Sequence, residues 1–241
     1  MSKLYIVVPA YNEEANIECL VAEWHDVAVL VSPRSRLLVV DDGSTDNTSA
    51  ILERLQRTHA QLRRLKKSNG GHGKAIYAGY IEALRDEADY VFQIDADRQT
   101  SRKDFLKFWR SRKHFEASIG FRANRLDGAE RKFVSKVLQI LLFLIYGLRI
   151  PDSNTPFRLI RSDVLAEALA LIPGGSSLTN VLLTVALAAK GHAISWLPIE
   201  FRPRQAGVNS LNLRRIAGIG FGALQDFITF RRVLRQRGWL R

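Results

Sequence analysis

Four short strand-like runs, the apolar Leu4–Val8, Leu37–Val40 and Tyr90–Ile94 and the mixed Leu62–Leu65, alternate with helix-length segments through residues 1–100. Strands and helices alternating at this spacing build parallel β-α-β units, which points to a doubly wound α/β sheet. The intervening helices are expected at Glu13–Leu30, Asn47–Arg57 and Gly73–Leu84. Glu13 and Glu14 would then occupy a first helical turn, where the helix dipole favours negative charge. A sheet of this kind binds ligands beyond the carboxyl ends of its strands. The residues that follow each apolar run are therefore the ones to read for chemistry.

Those residues are strongly polar. The first run leads into Pro9-Ala10-Tyr11-Asn12-Glu13-Glu14, and the second into Asp41-Asp42-Gly43-Ser44-Thr45-Asp46. Asp41 or Asp42 can accept the N–H of a nucleobase or a ribose hydroxyl, whereas Asp46 reads as the cap of the next helix. The fourth run ends in Asp95-Ala96-Asp97. Two carboxylates so spaced at the end of a buried strand suit Mg²⁺ or Mn²⁺, hard ions that take oxygen ligands and keep substrate phosphates in their shell. Taken alone, Asp-x-Asp is also ordinary turn chemistry, and a phosphatase uses it too. Between the third and fourth runs, Asn69-Gly70-Gly71-His72-Gly73-Lys74-Ala75 opens a helix. Glycines let backbone N–H groups approach a phosphate, and a helix N-terminus favours anions. The spacing is neither that of a Walker loop nor that of a dinucleotide fingerprint, so ATPase and nicotinamide readings lose ground. His72 fits a ligand contact and a solvated loop equally.

Charge divides the chain. Of its 36 Lys/Arg and 24 Asp/Glu, residues 1–97 hold 11 and 15, residues 98–136 hold 12 and 4, residues 137–199 hold 4 and 3, and residues 200–241 hold 9 and 2. The net +12 thus belongs to the second half. A basic half implies an anionic partner: nucleic acid, phospholipid head groups or a phosphorylated substrate. In that half, helices are expected at Arg102–Lys113, Glu130–Leu148, Ser162–Leu171 and Leu178–Lys190, and strands at Ala117–Phe121, Phe157–Ile160 and Ala193–Ile199. Asn209–Arg241 reads as one or two basic helices, with Gly218, Gly220 and Gly222 weakening its middle. The most apolar stretch, Val137–Leu148, falls short of the ~20 residues that span a bilayer and suits a buried or interfacial helix. The single cysteine, Cys19, fits a reducing compartment, and Met-Ser-Lys running straight into a strand leads us to expect no signal peptide.

As an ordered set, the Pro9–Glu13, Asp41–Asp46, Asn69–Ala75 and Gln93–Asp97 segments resemble glycosyltransferase family 2, and in particular its dolichyl- and polyprenyl-phosphate sugar synthase branch. The resemblance covers about residues 4–210. It implies a GT-A fold over residues 1–210, with a nucleotide-binding half at 1–100 and an acceptor half at 101–210, followed by basic amphipathic helices at 211–241. It also implies a UDP- or GDP-linked sugar donor and Mg²⁺ or Mn²⁺. Carried over residue by residue, Pro9, Tyr11 and Glu13 would line the nucleoside pocket, and Asp41 or Asp42 would hold the base. Gly73 and Lys74 would face the phosphates. Asp95 would sit near ribose and metal, and Asp97 would bind the metal with Gln99 adding an oxygen. Arg98, set between these ligands, must turn away from the ion or toward the diphosphate.

Gly120-Phe121-Arg122-Ala123-Asn124-Arg125, then Arg131 and Ser135, resembles the family's acceptor-phosphate segment. Arginine suits that task because its planar fork hydrogen-bonds phosphate in pairs. Asp152, with Asn154 second, falls in the acidic segment before the family's Phe-Arg-Leu strand (Phe157-Arg158-Leu159 here) and would close the sugar pocket. Arg204 lies in a loop that would clamp the diphosphate. The expected reaction is inverting transfer of a hexosyl group to an anionic acceptor, a polyprenyl phosphate, with a hydroxyl acceptor as the alternative. Asp152 would serve as base only for a hydroxyl. No hydrophobic hairpins are expected after the basic helices, where many members carry them. Ile216, Ile219, Phe221, Leu224, Phe227, Ile228 and Phe230 among arginines are the expected replacement, lying in the interface of a cytoplasmic membrane face or packing on the core. A homo-oligomer is left open. A nucleic-acid-binding module fits the charge but not the acidic strand ends. A sugar nucleotidyltransferase would carry its glycine-rich loop after the first strand.

Overall fold

The computed structural model describes residues 1–122, 129–202 and 213–240, without the side chains of 129–132 and 213–221. The strands are β1 (Leu4–Ala10), β2 (Arg36–Asp41), β3 (Leu62–Lys66), β4 (Tyr90–Gln93), β5 (Ala117–Arg122), β6 (Arg158–Arg161) and β7 (Ile194–Ile199). The helices are α1 (Ile17–Val31), α2 (Thr48–Gln56), α3 (His72–Arg85), α4 (Phe105–Ser111), α5 (Ala129–Tyr146), α6 (Ser162–Leu169), α7 (Thr179–Lys190) and α8 (Leu213–Gln236).

The strands form one sheet in the order β3-β2-β1-β4-β6-β5-β7. All run parallel except β6, which is antiparallel to both β4 and β5. The β3-β2-β1-β4 half is the doubly wound unit that the apolar runs predict. Its strands β2, β1 and β4 are buried on both faces, as the period-two alternation of β1 shows, while the edge strand β3 leaves Arg63 and Lys66 exposed. Leu4, Ile6 and Val8 pack with Trp24, Phe92, Phe105 and Phe157 on one side. Tyr5 and Val7 pack against α3 on the other, in a cluster that extends to α7 and the far end of α8. Pro9 extends β1 at no cost, because its missing N–H faces β4, whose pairing ends at Val7–Gln93.

Two expectations need correction. Glu13 and Glu14 are not in the first turn of a helix: Asn12 takes a left-handed φ of 54°, and Glu13 O accepts from Asn16 and Ile17 N in a turn that precedes α1. The helix expected from Arg102 to Lys113 is a 3-10 turn, Arg102–Asp104, followed by the short α4. Of the one or two basic helices expected at the C-terminus, there is one, α8, which passes through its glycines without a break. Phe227, Phe230 and Leu234 of α8 are buried against α5 and α7, and each fully buried apolar side chain contributes about 1.5–3 kcal/mol. That end of α8 belongs to the core. Ile216, Ile219 and Phe221 lie outside the described side chains.

Candidate active site at the carboxyl edge of the sheet

The ends of β1, β2 and β4 meet at one edge of the sheet, and hydrogen bonds between loops fix their relation. Asn12 N donates to Ser44 Oγ (3.1 Å), and Thr45 N donates to Asn12 Oδ1 (2.8 Å). Glu14 N donates to Asp46 Oδ2 (3.1 Å), and Asp46 Oδ1 accepts from Thr48 N (2.9 Å). Burial works against the Asp46 charge, yet these bonds hold its carboxyl below its ordinary pKa; the N-cap of α2 is Asn47, so Asp46 ties the first turn from one residue outside the expected cap position. Pro9 is buried and Tyr11 is exposed on this rim. Glu13 is turned inward, where Oε2 accepts from Asn16 Nδ2 at 2.7 Å.

Asp41 and Asp42 divide sharply. Asp42 is spent on structure: Oδ1 accepts from Gly70 N (3.0 Å) and pairs with Lys67, and Oδ2 accepts from Gly71 N (2.7 Å). It anchors the glycine-rich loop. Asp41 Oδ1 accepts from Ser44 N (2.9 Å), while its buried Oδ2 has no hydrogen-bond partner. A buried acceptor left unpaired costs about 1–3 kcal/mol, so Asp41 rather than Asp42 is poised to receive a ligand donor. Gly43 allows this packing: its φ is +72°, and a Cβ there would lie 2.7 Å from Asn69 N.

The loop that Asp42 anchors delivers the N-terminus of α3 to the end of β4. His72 Nε2 lies 3.5 Å from Asp95 Oδ1, an oxygen that is buried without a hydrogen-bond partner. Asp97 Oδ1 accepts from Gln99 N (3.2 Å). Gln99 Nε2 donates to Arg202 O (2.9 Å), which leaves only Oε1 as a ligand atom. Arg98 has a left-handed φ of 58°, which turns the chain between the acidic pair and Gln99. This donor set fits a hard divalent cation: carboxylate oxygens, one amide oxygen and one unsatisfied buried oxygen. Among the described residues, no three His, Cys, Asp or Glu side chains cluster as metal ligands, so substrate phosphates would have to complete the shell.

Gly73 is in contact with a segment that sequence reasoning passed over. A Cβ on Gly73 would lie 2.4 Å from Ser177 O and 2.7 Å from Ser176 O, and Thr179 Oγ1 donates to Gly73 O (2.9 Å). The starts of α3 and α7 are thereby locked side by side. The available signal was Ser176-Ser177-Leu178-Thr179 ahead of a helical pattern. Lys74 is exposed beside this junction.

The second cluster lies across β6. Arg122, at the end of β5, donates from Nε to Asp152 Oδ2 (2.8 Å) and from Nη2 to Asp152 Oδ1 (2.9 Å). Both side chains are 10% exposed. Arg122, Asp152, Asn154 and Ser135 line a cavity of about 160 Å³ together with Lys136, which the sequence did not single out. Arg131 stands one turn before Ser135 on α5, but its side chain lies outside the described residues, as do Arg125 and Arg204.

Between the two clusters is the fully buried Arg158. It donates to Thr155 O (2.6 and 3.1 Å), Ser153 O (3.2 Å), Asn180 O (3.1 Å) and Thr184 Oγ1 (3.2 Å). These bonds fix the 153–155 segment to the start of α7. Burial lowers the guanidinium pKa, and Tyr80, Asp152 and Asp95 push it back up. Tyr80 donates to Gln93 Oε1 (2.6 Å), and burial raises its own pKa.

Known proteins share this outline. The family model for glycosyl transferase family 2 matches residues 5–169. Polyprenol monophosphomannose synthase of Mycolicibacterium smegmatis is 25% identical over 220 residues, 86% of this chain and 80% of that protein. Undecaprenyl-phosphate 4-deoxy-4-formamido-L-arabinose transferase of Proteus mirabilis is 27% identical over 173 residues, 70% of this chain and 52% of that protein, so the chain spans about half the length of such relatives. Glucosyl-3-phosphoglycerate synthase from Mycobacterium tuberculosis, in complex with Mn²⁺, uridine-diphosphate-glucose and phosphoglyceric acid, superposes with a TM-score of 0.67 at 18% identity, over 95% of this chain and 79% of that one. Mannosyl-3-phosphoglycerate synthase from Rubrobacter xylanophilus gives a TM-score of 0.66 at 17% identity, over 100% and 76%. The fold is the GT-A arrangement that the family resemblance implies.

Proposed function

The chain belongs to glycosyltransferase family 2, and from that premise we propose that it transfers a hexosyl group, with inversion, from a nucleotide-diphospho-sugar to a polyprenyl phosphate. The observation that carries the acceptor class is the cavity beside β5. It is lined by Arg122, Lys136 and Ser135, and its one carboxylate among the described residues, Asp152, is engaged through both oxygens. A hydroxyl acceptor needs a base to take its proton, whereas a phosphate oxygen is already anionic and needs chiefly positioning. Cations with no free base favour the phosphate. The names of the relatives lean the same way, since two of them are a polyprenol monophosphomannose synthase and an undecaprenyl-phosphate transferase.

At the donor side, Asp41 Oδ2 would accept from the base or ribose. Pro9, Tyr11 and Glu13 would wall the nucleoside, and the start of α3 with Lys74 and Arg204 would face the diphosphate. Asp95, Asp97 and Gln99 Oε1 would hold Mg²⁺ or Mn²⁺, which when bound neutralises the leaving diphosphate as a Lewis acid. Arg122, Arg131 and Ser135, with Arg125 beside them, would orient the acceptor oxygen on the face of the sugar opposite the leaving group. Family membership favours transfer over the nucleic-acid and nucleotidyltransferase readings.

No helix among the described residues is long and apolar enough to cross a membrane. We assign the membrane contact to α5, which moves it off the buried end of α8. Phe133, Val137, Ile140 and Leu144 repeat along one side of α5, with Phe133 70% and Leu144 72% exposed, next to the cavity that Ser135 and Lys136 line. An apolar stripe with basic neighbours suits the interface of an anionic leaflet, here the cytoplasmic face.

Thermal unfolding in the presence of UDP-, GDP- and dTDP-sugars tests the donor side. One donor with Mn²⁺ should raise the melting temperature, since a ligand specific for the folded state stabilises it. In Asp97→Ala the Mn²⁺-dependent part should vanish while the protein stays folded. A full Mn²⁺ response in that variant would remove the metal role.

A further inference from the structure

Resting on that reading, we propose that Arg122 and Asp152 form an acceptor-operated latch that protects the sugar donor from water. Water is the competing nucleophile for any activated sugar. It must lose a proton as it attacks, whereas an ionised phosphate need not, so a free carboxylate near the anomeric carbon would aid only the wrong nucleophile. Among the described residues, Asp152 is the carboxylate lining the acceptor cavity. Both its oxygens are held by the Arg122 fork at 2.8 and 2.9 Å, and Oδ1 also accepts from Asn154 N at 3.3 Å.

The latch is built on both sides. Arg122 is borne on β5, with its guanidinium 5.2 Å from the centroid of the Phe201 ring. The segment that follows Asp152 is pinned by the buried Arg158 through Ser153 O and Thr155 O. Neither partner is easily lost to solvent, because each is 10% exposed. A phosphate monoester satisfies the same guanidinium fork and carries more charge than a carboxylate. Lys136 and Ser135 on the cavity wall add to that preference. Arrival of the phosphate therefore exchanges the partner of Arg122, and Asp152 is released only once a nucleophile that outcompetes water has arrived.

The reaction held in check is hydrolysis. The water oxygen bonds to the anomeric carbon, and the bond from that carbon to the diphosphate oxygen breaks. The bonding pair leaves on the nucleoside diphosphate, and the water proton passes to Asp152.

Free hexose released from the nucleotide-sugar without acceptor is the direct readout. Arg122→Gln should raise it by on the order of 10²-fold, the scale of a restored general base, and adding Asp152→Asn should return it to the wild-type rate. Sulfate, a dianion of the shape of phosphate that does not accept the sugar, should raise hydrolysis saturably in the wild type and not in Asp152→Asn. The sulfate arm decides alone if melting shows Arg122→Gln misfolded. A wild-type rate indifferent to sulfate, or an Arg122→Gln rate no higher than wild type in a folded protein, overturns the latch. Transfer to polyprenyl phosphate is measured beside it: no transfer removes the underlying functional reading, while transfer with flat hydrolysis arms removes the latch alone.

Discussion

At the tip of β2, two adjacent carboxylates face opposite ways, as neighbours on a strand must. Asp42 meets Lys67, Gly70 and Gly71, and Asp41 is left with a buried oxygen that nothing in the chain satisfies. Asp42→Ala should therefore act on stability. Losing the anchor of the two loop amides costs about 2 kcal/mol, a fall in melting temperature of roughly 4–8 °C for a chain of this size. Asp41→Asn should leave the melting temperature near wild type and weaken nucleotide-sugar binding in calorimetry. The opposite pattern would exchange their roles. The sequence shows that a carboxylate belongs here, since Val40-Asp41-Asp42-Gly43 follows an apolar run. It does not show which one, because the choice is made by Lys67 and Gly70, about 25 residues away. Arg158 is hidden for the same reason: its acceptors are carbonyls of 153–155 and, brought from α7, the Asn180 carbonyl and the Thr184 hydroxyl.

At the scale of elements, the parallel half was legible because β1, β2 and β4 are apolar runs closed by polar residues. The antiparallel β6 was legible as a strand but not as a neighbour, since its insertion between β4 and β5 is set by long-range packing. The amphipathic α8 was ambiguous for a different reason: an apolar face does not say whether protein or lipid covers it. Its Phe227, Phe230 and Leu234 are covered by protein, while α5 keeps Phe133 and Leu144 exposed. Phe133→Glu with Leu144→Glu should abolish sedimentation with anionic vesicles and leave thermal stability unchanged, whereas retained sedimentation would clear α5 of that task. The junction of α3 and α7 makes a separate prediction. Gly73→Ala places a Cβ 2.4 Å from Ser177 O, so the 173–178 segment must shift. Overpacking of this kind costs about 1–3 kcal/mol in urea unfolding, and the donor KM should rise with it. An unperturbed donor KM would separate this junction from the diphosphate site.

Over the whole molecule, acidic strand ends face a basic second half, and stability and function draw on different charges. Hydrogen bonds from Lys3 and Tyr5 hold the Asp86 carboxyl below its ordinary pKa, Arg161 does the same for Asp163, and the Ala193 amide does so for Glu116. A depressed carboxylate stabilises the fold above its unfolded pKa and loses that contribution as pH falls through the folded value. The melting temperature should thus hold steady from about pH 7 to 5 and drop below about pH 4. A maximum below pH 4 would assign stability to other groups. The proposed transfer depends on a cationic pocket receiving an acceptor that is already ionised. Nucleoside diphosphate release from the preferred nucleotide-sugar, measured in vesicles with a polyprenyl phosphate or with the matching neutral polyprenol, tests this most directly. Release should saturate with the phosphate and remain at background with the alcohol; equal release with the alcohol would contradict it.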